Sequence, residues 1–189
     1  MRQIILGAAA LCLCACGQQT QTASAPSGAG CARTAAHDVS WTDPHGADTV
    51  TTRADGPSCL QAAVSLVVRD ARGDPLWTFI STYYDMTTGG VAPRDAPAVS
   101  PEQTDRFLAS WANVTTQSSA QLPQWPERAP AIASPGGLIY STALSREAYE
   151  AIRQRNLRMI CYAAAVDATQ CLVIDHASNA PTMIAAYGP

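Results

Sequence analysis

The chain has 189 residues, 47% of them hydrophobic and 14% charged, with 12 basic side chains against 15 acidic ones and a formal net charge of −3. That balance argues against nucleic acid and against an anionic membrane surface as partners, since both call for an excess of cationic side chains. Every basic residue is arginine and lysine is absent, which reads as codon bias rather than as a site.

In chain order, Arg2 comes first and is followed by an apolar run over residues 4–13 that ends in small residues and cysteines. A positive charge, a short apolar stretch and a small-residue cleavage point are the anatomy of an export signal. The run is about ten residues long, and a permanent span needs roughly 20 apolar residues in a helix. Leu13-Cys14-Ala15-Cys16 resembles the lipobox of bacterial lipoproteins. The resemblance implies that residues 1–15 are a signal peptide to be removed, and that Cys16 is acylated and becomes the mature N-terminus. The alternative frame, Leu11-Cys12-Leu13-Cys14, sets a bulky leucine beside the cleavage point, which favours Cys16. Gly17 in place of an aspartate implies transfer to the outer membrane, with the protein on its periplasmic face. Two or more acyl chains give stable anchoring where one binds only reversibly. The expected partners are therefore the membrane, reached through the lipid, and an envelope protein. Loss of Arg2 with the leader takes the formal charge from −3 to −4.

Residues 16–30 form the lipidated tether, and 17–30 are Gln, Thr, Ser, Ala, Gly and Pro without a charge or a large apolar side chain. Such a composition buries too little surface to offset its ordering entropy and predicts a flexible spacer. Residues 31–189 then alternate apolar runs with turn residues, and their length fits one globular α+β domain with a core of its own.

Within that domain, 48–53 and 60–69 read as strands, and 76–84 is rich in aromatic and β-branched residues. Asp70-Ala71-Arg72-Gly73-Asp74-Pro75 between the last two is turn chemistry, which predicts a β-hairpin. Ser100-Pro101-Glu102-Gln103 is a helix start with serine as N-cap, and Phe107, Leu108 and Trp111 form its apolar stripe. Four prolines between 121 and 137 predict an extended surface connection. A short strand follows at 138–142, then a second helix capped by Ser145 with Tyr149 and Ile152 inward, then strands at 159–166, 171–175 and 182–187. Leu66-Val67-Val68, Ala71 and Pro75 recur as Leu172-Val173-Ile174, Ala177 and Pro181 at a constant offset. The recurrence predicts two antiparallel hairpins of similar geometry, each with a helix nearby.

Of the seven cysteines, Cys12 and Cys14 leave with the leader and Cys16 carries lipid, so Cys31, Cys59, Cys161 and Cys171 remain. In an oxidising periplasm an even set reads as two disulfides, and proximity favours Cys31 with Cys59 and Cys161 with Cys171, with the crossed pairing of Cys31 with Cys161 and Cys59 with Cys171 as the alternative. One difficulty attends the second pair: a turn at 167–170 sets Cys171 opposite Val166, and the local pairing then requires a wide loop or a bulge.

Candidate chemistry is sparse. His37, Asp43, His45 and Asp48 mix imidazole and carboxylate as divalent-ion ligands do, although Pro44 and Gly46 among them are turn residues. Asp175-His176 is a second acid–imidazole pair, but neighbours in a strand point to opposite faces. No nucleophile elbow, zincin motif or phosphate loop occurs, and no cofactor is expected. Trp77, Tyr83, Tyr84 and Trp125 are candidates for a contact surface, with Trp125, flanked by prolines, serving either there or as a pin between loop and core. The functional expectation is an outer-membrane lipoprotein acting as a non-catalytic binding or envelope accessory module. The competing expectations are a periplasmic hydrolase or metal-binding protein using the histidine and aspartate residues, and an inhibitor of a foreign hydrolase.

Overall fold

A computed structural model of the chain describes residues 30–175 and 178–188. The leader, Cys16, the tether as far as residue 29, and His176 lie outside the described residues.

Four strands come first: β1 (Cys31–Val39), β2 (Asp48–Gly56), β3 (Ala63–Arg69) and β4 (Pro75–Thr82). They pair antiparallel in sequence order, so the first sheet is a simple meander. Alternation explains which face it buries. Val50, Thr52 and Ala54 of β2 and Val64, Leu66 and Val68 of β3 point inward and are fully buried, while Thr49, Thr51, Arg53 and Ser65 face out.

A five-residue helix, α1 (Tyr83–Thr87), follows β4 directly, so the Tyr83-Tyr84 pair expected at the end of a strand instead begins a helix. Thr82 is its N-cap, accepting from the Asp85 amide at 3.2 Å. The Thr-x-x-Asp spacing that starts this helix lies next to β-prone aromatic residues, which mask it in the sequence. Helix α2 (Pro101–Ala112) has the expected capping box: the Gln103 amide donates to Ser100 Oγ at 3.2 Å and the Ser100 amide to Gln103 Oε1 at 2.8 Å. Its stripe of Leu108 and Trp111, with Phe107 beside them, lies against the inner face of the meander. Buried Thr52 ties the two together by donating its hydroxyl to the Leu108 carbonyl at 2.9 Å.

The second sheet has six strands in the order β5-β8-β9-β10-β7-β6. They are β5 (Thr115–Ser118), β6 (Ile132–Ala133), β7 (Ile139–Ser141), β8 (Arg158–Ala163), β9 (Thr169–Asp175) and β10 (Ala180–Gly188). Helix α3 (Arg146–Gln154) is capped by Ser145 and buries Tyr149 and Ile152. Both faces of this sheet are covered. Ile160, Tyr162 and Leu172 join the core shared with the meander and α2, whereas Met159, Cys161, Cys171 and Val173, one residue out of phase, pack with α3, Ile132 and Ile184. Trp77 donates its indole N–H to the Tyr162 hydroxyl at 3.0 Å, a polar bond between the two sheets, and Trp111 of α2 donates to the Ala163 carbonyl at 2.8 Å, which ties the helix to the second sheet.

Both disulfides have the expected pairing. Cys31, the first residue of β1, joins Cys59 in the β2–β3 connection, and Cys161 joins Cys171. The difficulty over the second pair resolves because β8 ends at Ala163 rather than 166 and β9 begins at Thr169, which sets Cys161 directly opposite Cys171. The Ala164 and Ala165 amides both bond the Ala168 carbonyl and close that wider turn. Both repeated segments form hairpins, but in different registers: Pro75 stands opposite Arg69, whereas Pro181 stands opposite Ile174.

Candidate functional site

One end of the two sheets is left open by their loops, and a cleft of about 720 Å³ lies there. Each wall has a local cause. The loop between β1 and β2 folds back because Asp48, fully buried at the start of β2, accepts from the Trp41 amide at 2.9 Å, the Thr42 amide at 2.7 Å and the Thr42 hydroxyl at 2.8 Å. This carboxylate brings Trp41, Thr42 and Pro44 to the cleft. Asp43 makes a smaller turn within the loop, accepting from the His45 amide at 2.8 Å.

Opposite stands the turn between β3 and β4. Asp70 Oδ1 accepts from the Arg72 and Asp74 amides, both at 2.9 Å, and Gly73 supplies the left-handed backbone (φ 89°) that the turn requires. The Arg72 guanidinium lies over Asp70 at 2.9 Å and Asp74 at 3.3 Å. Burial alone pushes the Asp70 carboxyl upward, but hydrogen bonds from Arg72 and from the Asp74 and Arg72 amides outweigh it, and the group is held below the ordinary aspartate value. Arg72, bonded to that carboxylate and attracted by Asp74, is raised.

The second sheet supplies the rest: Thr116 and Ser118 on its edge strand β5, Asn156, Leu157 and Arg158 where α3 gives way to β8, Ile174 at the end of β9 and Asn179 in the next turn. Asn156 and Asn179 are the non-glycine residues with positive φ among those described, 55° and 51°. Asparagine tolerates that conformation better than most side chains, and here it lets the chain reverse into β8 and β10. Ser118 donates its hydroxyl to Asn156 Oδ1. Arg158 donates from Nη1 to the Ser40 carbonyl at 3.1 Å and meets no carboxylate within ion-pair distance among the described residues. The indole N–H of Trp41, a residue 3% exposed, has no acceptor there either. That nitrogen is itself buried, so the donor lies behind the cleft surface, and leaving it unmet costs about 1–3 kcal/mol.

Chemically this is a donor-rich, partly apolar hollow. Among its described lining residues the one carboxylate, Asp70, is locked by Arg72, and the Ser118 hydroxyl is committed to Asn156. The lining also includes Leu76, Leu157, Ile174 and Pro44.

The residues singled out in the sequence lie mostly elsewhere. His37 is exposed on β1, opposite Val50, so it belongs to a strand rather than to the loop expected there. Asp43 and His45 sit in the exposed loop, and the oxygens of Asp48 serve backbone and hydroxyl donors. No group of three or more metal-ligating side chains converges among the described residues. Tyr83 is buried against Phe107, and Trp77 is bonded to Tyr162. Trp125 pins its loop: its indole donates to the Ala129 carbonyl at 3.2 Å, its amide to Glu150 at 2.6 Å, and its ring meets Tyr149 edge-on. Tyr84 lines another depression, with Leu60 and exposed Val91. Trp41, Asn156, Arg158 and Asn179 gave no functional signal in the sequence. At most, an asparagine after a helix and another in a turn are legible as left-handed positions.

No protein-family model, no curated protein and no solved structure matches this chain.

Proposed function

We propose that the protein is a lipoprotein anchored through acyl chains on Cys16 to the periplasmic face of the outer membrane, and that its folded part is a non-catalytic binding module that receives its ligand in this cleft. The observation that carries the binding reading is a 720 Å³ hollow between the ends of two sheets, walled by separate loops and lined by an arginine, Arg158, that no carboxylate among the described residues pairs with. A volume of this size falls within the 300–1,000 Å³ typical of small-molecule sites. Commitment of Asp70 to Arg72 and of Ser118 to Asn156 supports binding over catalysis, because neither is poised as base or nucleophile. The lipobox supports the anchor, and the uncharged segment 17–30 supports a spacer that lets the cleft stand clear of the membrane.

Two experiments test the halves separately. Cys16→Ser abolishes acylation and releases the protein from the membrane fraction; persistence of acyl label in that variant overturns the anchor. For the cleft, ligand-observed NMR on a small-molecule extract of the cell envelope compares the wild-type protein with Thr116→Trp, which places an indole in the cleft from an exposed edge-strand position. Signals that transfer in the wild type and vanish in the variant support the reading. The same signals in both, or none in either, overturn it.

A further inference from the structure

The geometry points to an acidic saccharide as the ligand of this cleft, with its carboxylate on Arg158 and its hydroxyls on the side-chain amides of Asn156 and Asn179. The inference rests on the reading of the cleft as a binding site and narrows it to one chemistry.

Charge comes first. Of the two arginines in the cleft, Arg72 is answered by Asp70 and Asp74, whereas Arg158 spends one bond on the Ser40 carbonyl and is opposed by no carboxylate among the described residues. The remaining guanidinium donors match the two oxygens of a carboxylate in one plane. With Arg72 neutralised by its own turn, Arg158 is the guanidinium of the cleft left to meet an anion.

The neutral groups decide between anions. Asn156 Oδ1 already accepts from Ser118, which turns its NH₂ into the free half of the amide, and Asn179 makes no side-chain hydrogen bond among the described residues. Both stand in turns with positive φ and are exposed on the cleft side. Amides both donate and accept, as do sugar hydroxyls, and Leu76, Leu157 and Ile174 offer an aliphatic wall for the C–H face of a ring. A peptide carboxylate also suits Arg158, but peptide recognition draws on a run of main-chain partners, and the strand edge in the cleft, β5, has four residues.

The full-length lipidated protein in detergent is titrated by calorimetry with three probes: a D-galacturonate trisaccharide, the same trisaccharide fully methyl-esterified, and acetyl-trialanine with a free carboxylate. The acidic trisaccharide binds at least about tenfold more tightly than its ester, as a charge-assisted contact requires. Arg158→Gln removes about that same factor. Asn179→Gly, which keeps the left-handed backbone, weakens binding severalfold, and Arg94→Gln, an exposed arginine outside the cleft, leaves it unchanged. Equal affinity for acid and ester, an unaffected Arg158→Gln protein of native circular dichroism, or tighter binding of trialanine each overturns the proposal. If none of the probes binds while the envelope extract still gives signals lost in Thr116→Trp, the saccharide assignment falls and the binding module stands. If those signals are missing too, both fall.

Discussion

In the four-stranded sheet every spatial neighbour is a sequence neighbour, and a single face is buried; in the six-stranded sheet β5 pairs across 40 residues with β8, and both faces are buried. Their disulfides differ in the same sense. Cys31–Cys59 spans 28 residues and fixes the outermost strand of the meander at the point where the chain enters the fold, whereas Cys161–Cys171 spans 10 and joins residues already opposed in a ladder. A meander has an edge that frays, and its cross-link lies where fraying begins. A sheet covered on both faces is held by burial, and its cross-link adds to contacts that exist without it.

The sharpest break of this comparison is in the shared core. Leu172 belongs to the six-stranded sheet but faces the meander, so Leu172→Ala leaves a cavity that both sheets line, and a loss of roughly 2–5 kcal/mol is expected in denaturant unfolding, with one transition rather than two. Two separated transitions would show that the sheets are independent. Next are the cross-links. By loop entropy, opening Cys31–Cys59 with a double alanine variant destabilises by roughly 3.6 kcal/mol and opening Cys161–Cys171 by roughly 2.7 kcal/mol. Only the first is expected to speed amide exchange selectively along β1, and uniform exchange in both variants would erase the contrast drawn above.

A pH experiment separates the two cores. Tyr149, fully buried against the outer face of the six-stranded sheet, donates its hydroxyl to the Pro123 carbonyl at 2.7 Å, and burial, with the Glu150 charge, pushes its ionisation up to about 12. A phenol that ionises near 10 when unfolded and near 12 when folded contributes stability that is whole below pH 10 and lost between the two values. The size of that loss is of order 2–3 kcal/mol. Tyr149→Phe therefore shows a shallower alkaline decline in stability than the wild type, measured by urea unfolding at pH 9 and pH 11. Tyr162, in the shared core, is also raised by burial, against the opposing bond from Trp77, so part of the decline survives the substitution. The smallest effect is at the helix starts. Ser100→Ala removes the Gln103 amide's acceptor at 3.2 Å and Ser145→Ala the Ala148 amide's at 3.3 Å, so each loss lies in the range of roughly 0.5–2 kcal/mol.

What the sequence determined by itself is whatever depends on near neighbours. The cap at Ser100, the turn from Asp70 to Asp74, the inward Tyr149 and Ile152, the α+β class and the two disulfide pairings are all set by spacings of a few residues or by short loops, and the structure has each of them. Strand β1 has little sequence signature because Ala, Arg and His carry little β signal, and it becomes a strand because β2 offers an open ladder beside it and α2 packs against it, with Arg33 bonded to Asp105. The cleft was illegible for a related reason. Trp41, Asn156, Arg158 and Asn179 are unremarkable one by one and lie up to 138 positions apart, and what brings them together is the packing of two sheets at their loop ends. Local pattern records which face of an element is apolar; which elements then meet is decided by tertiary burial, because one apolar face fits many others and only the closed core selects among them.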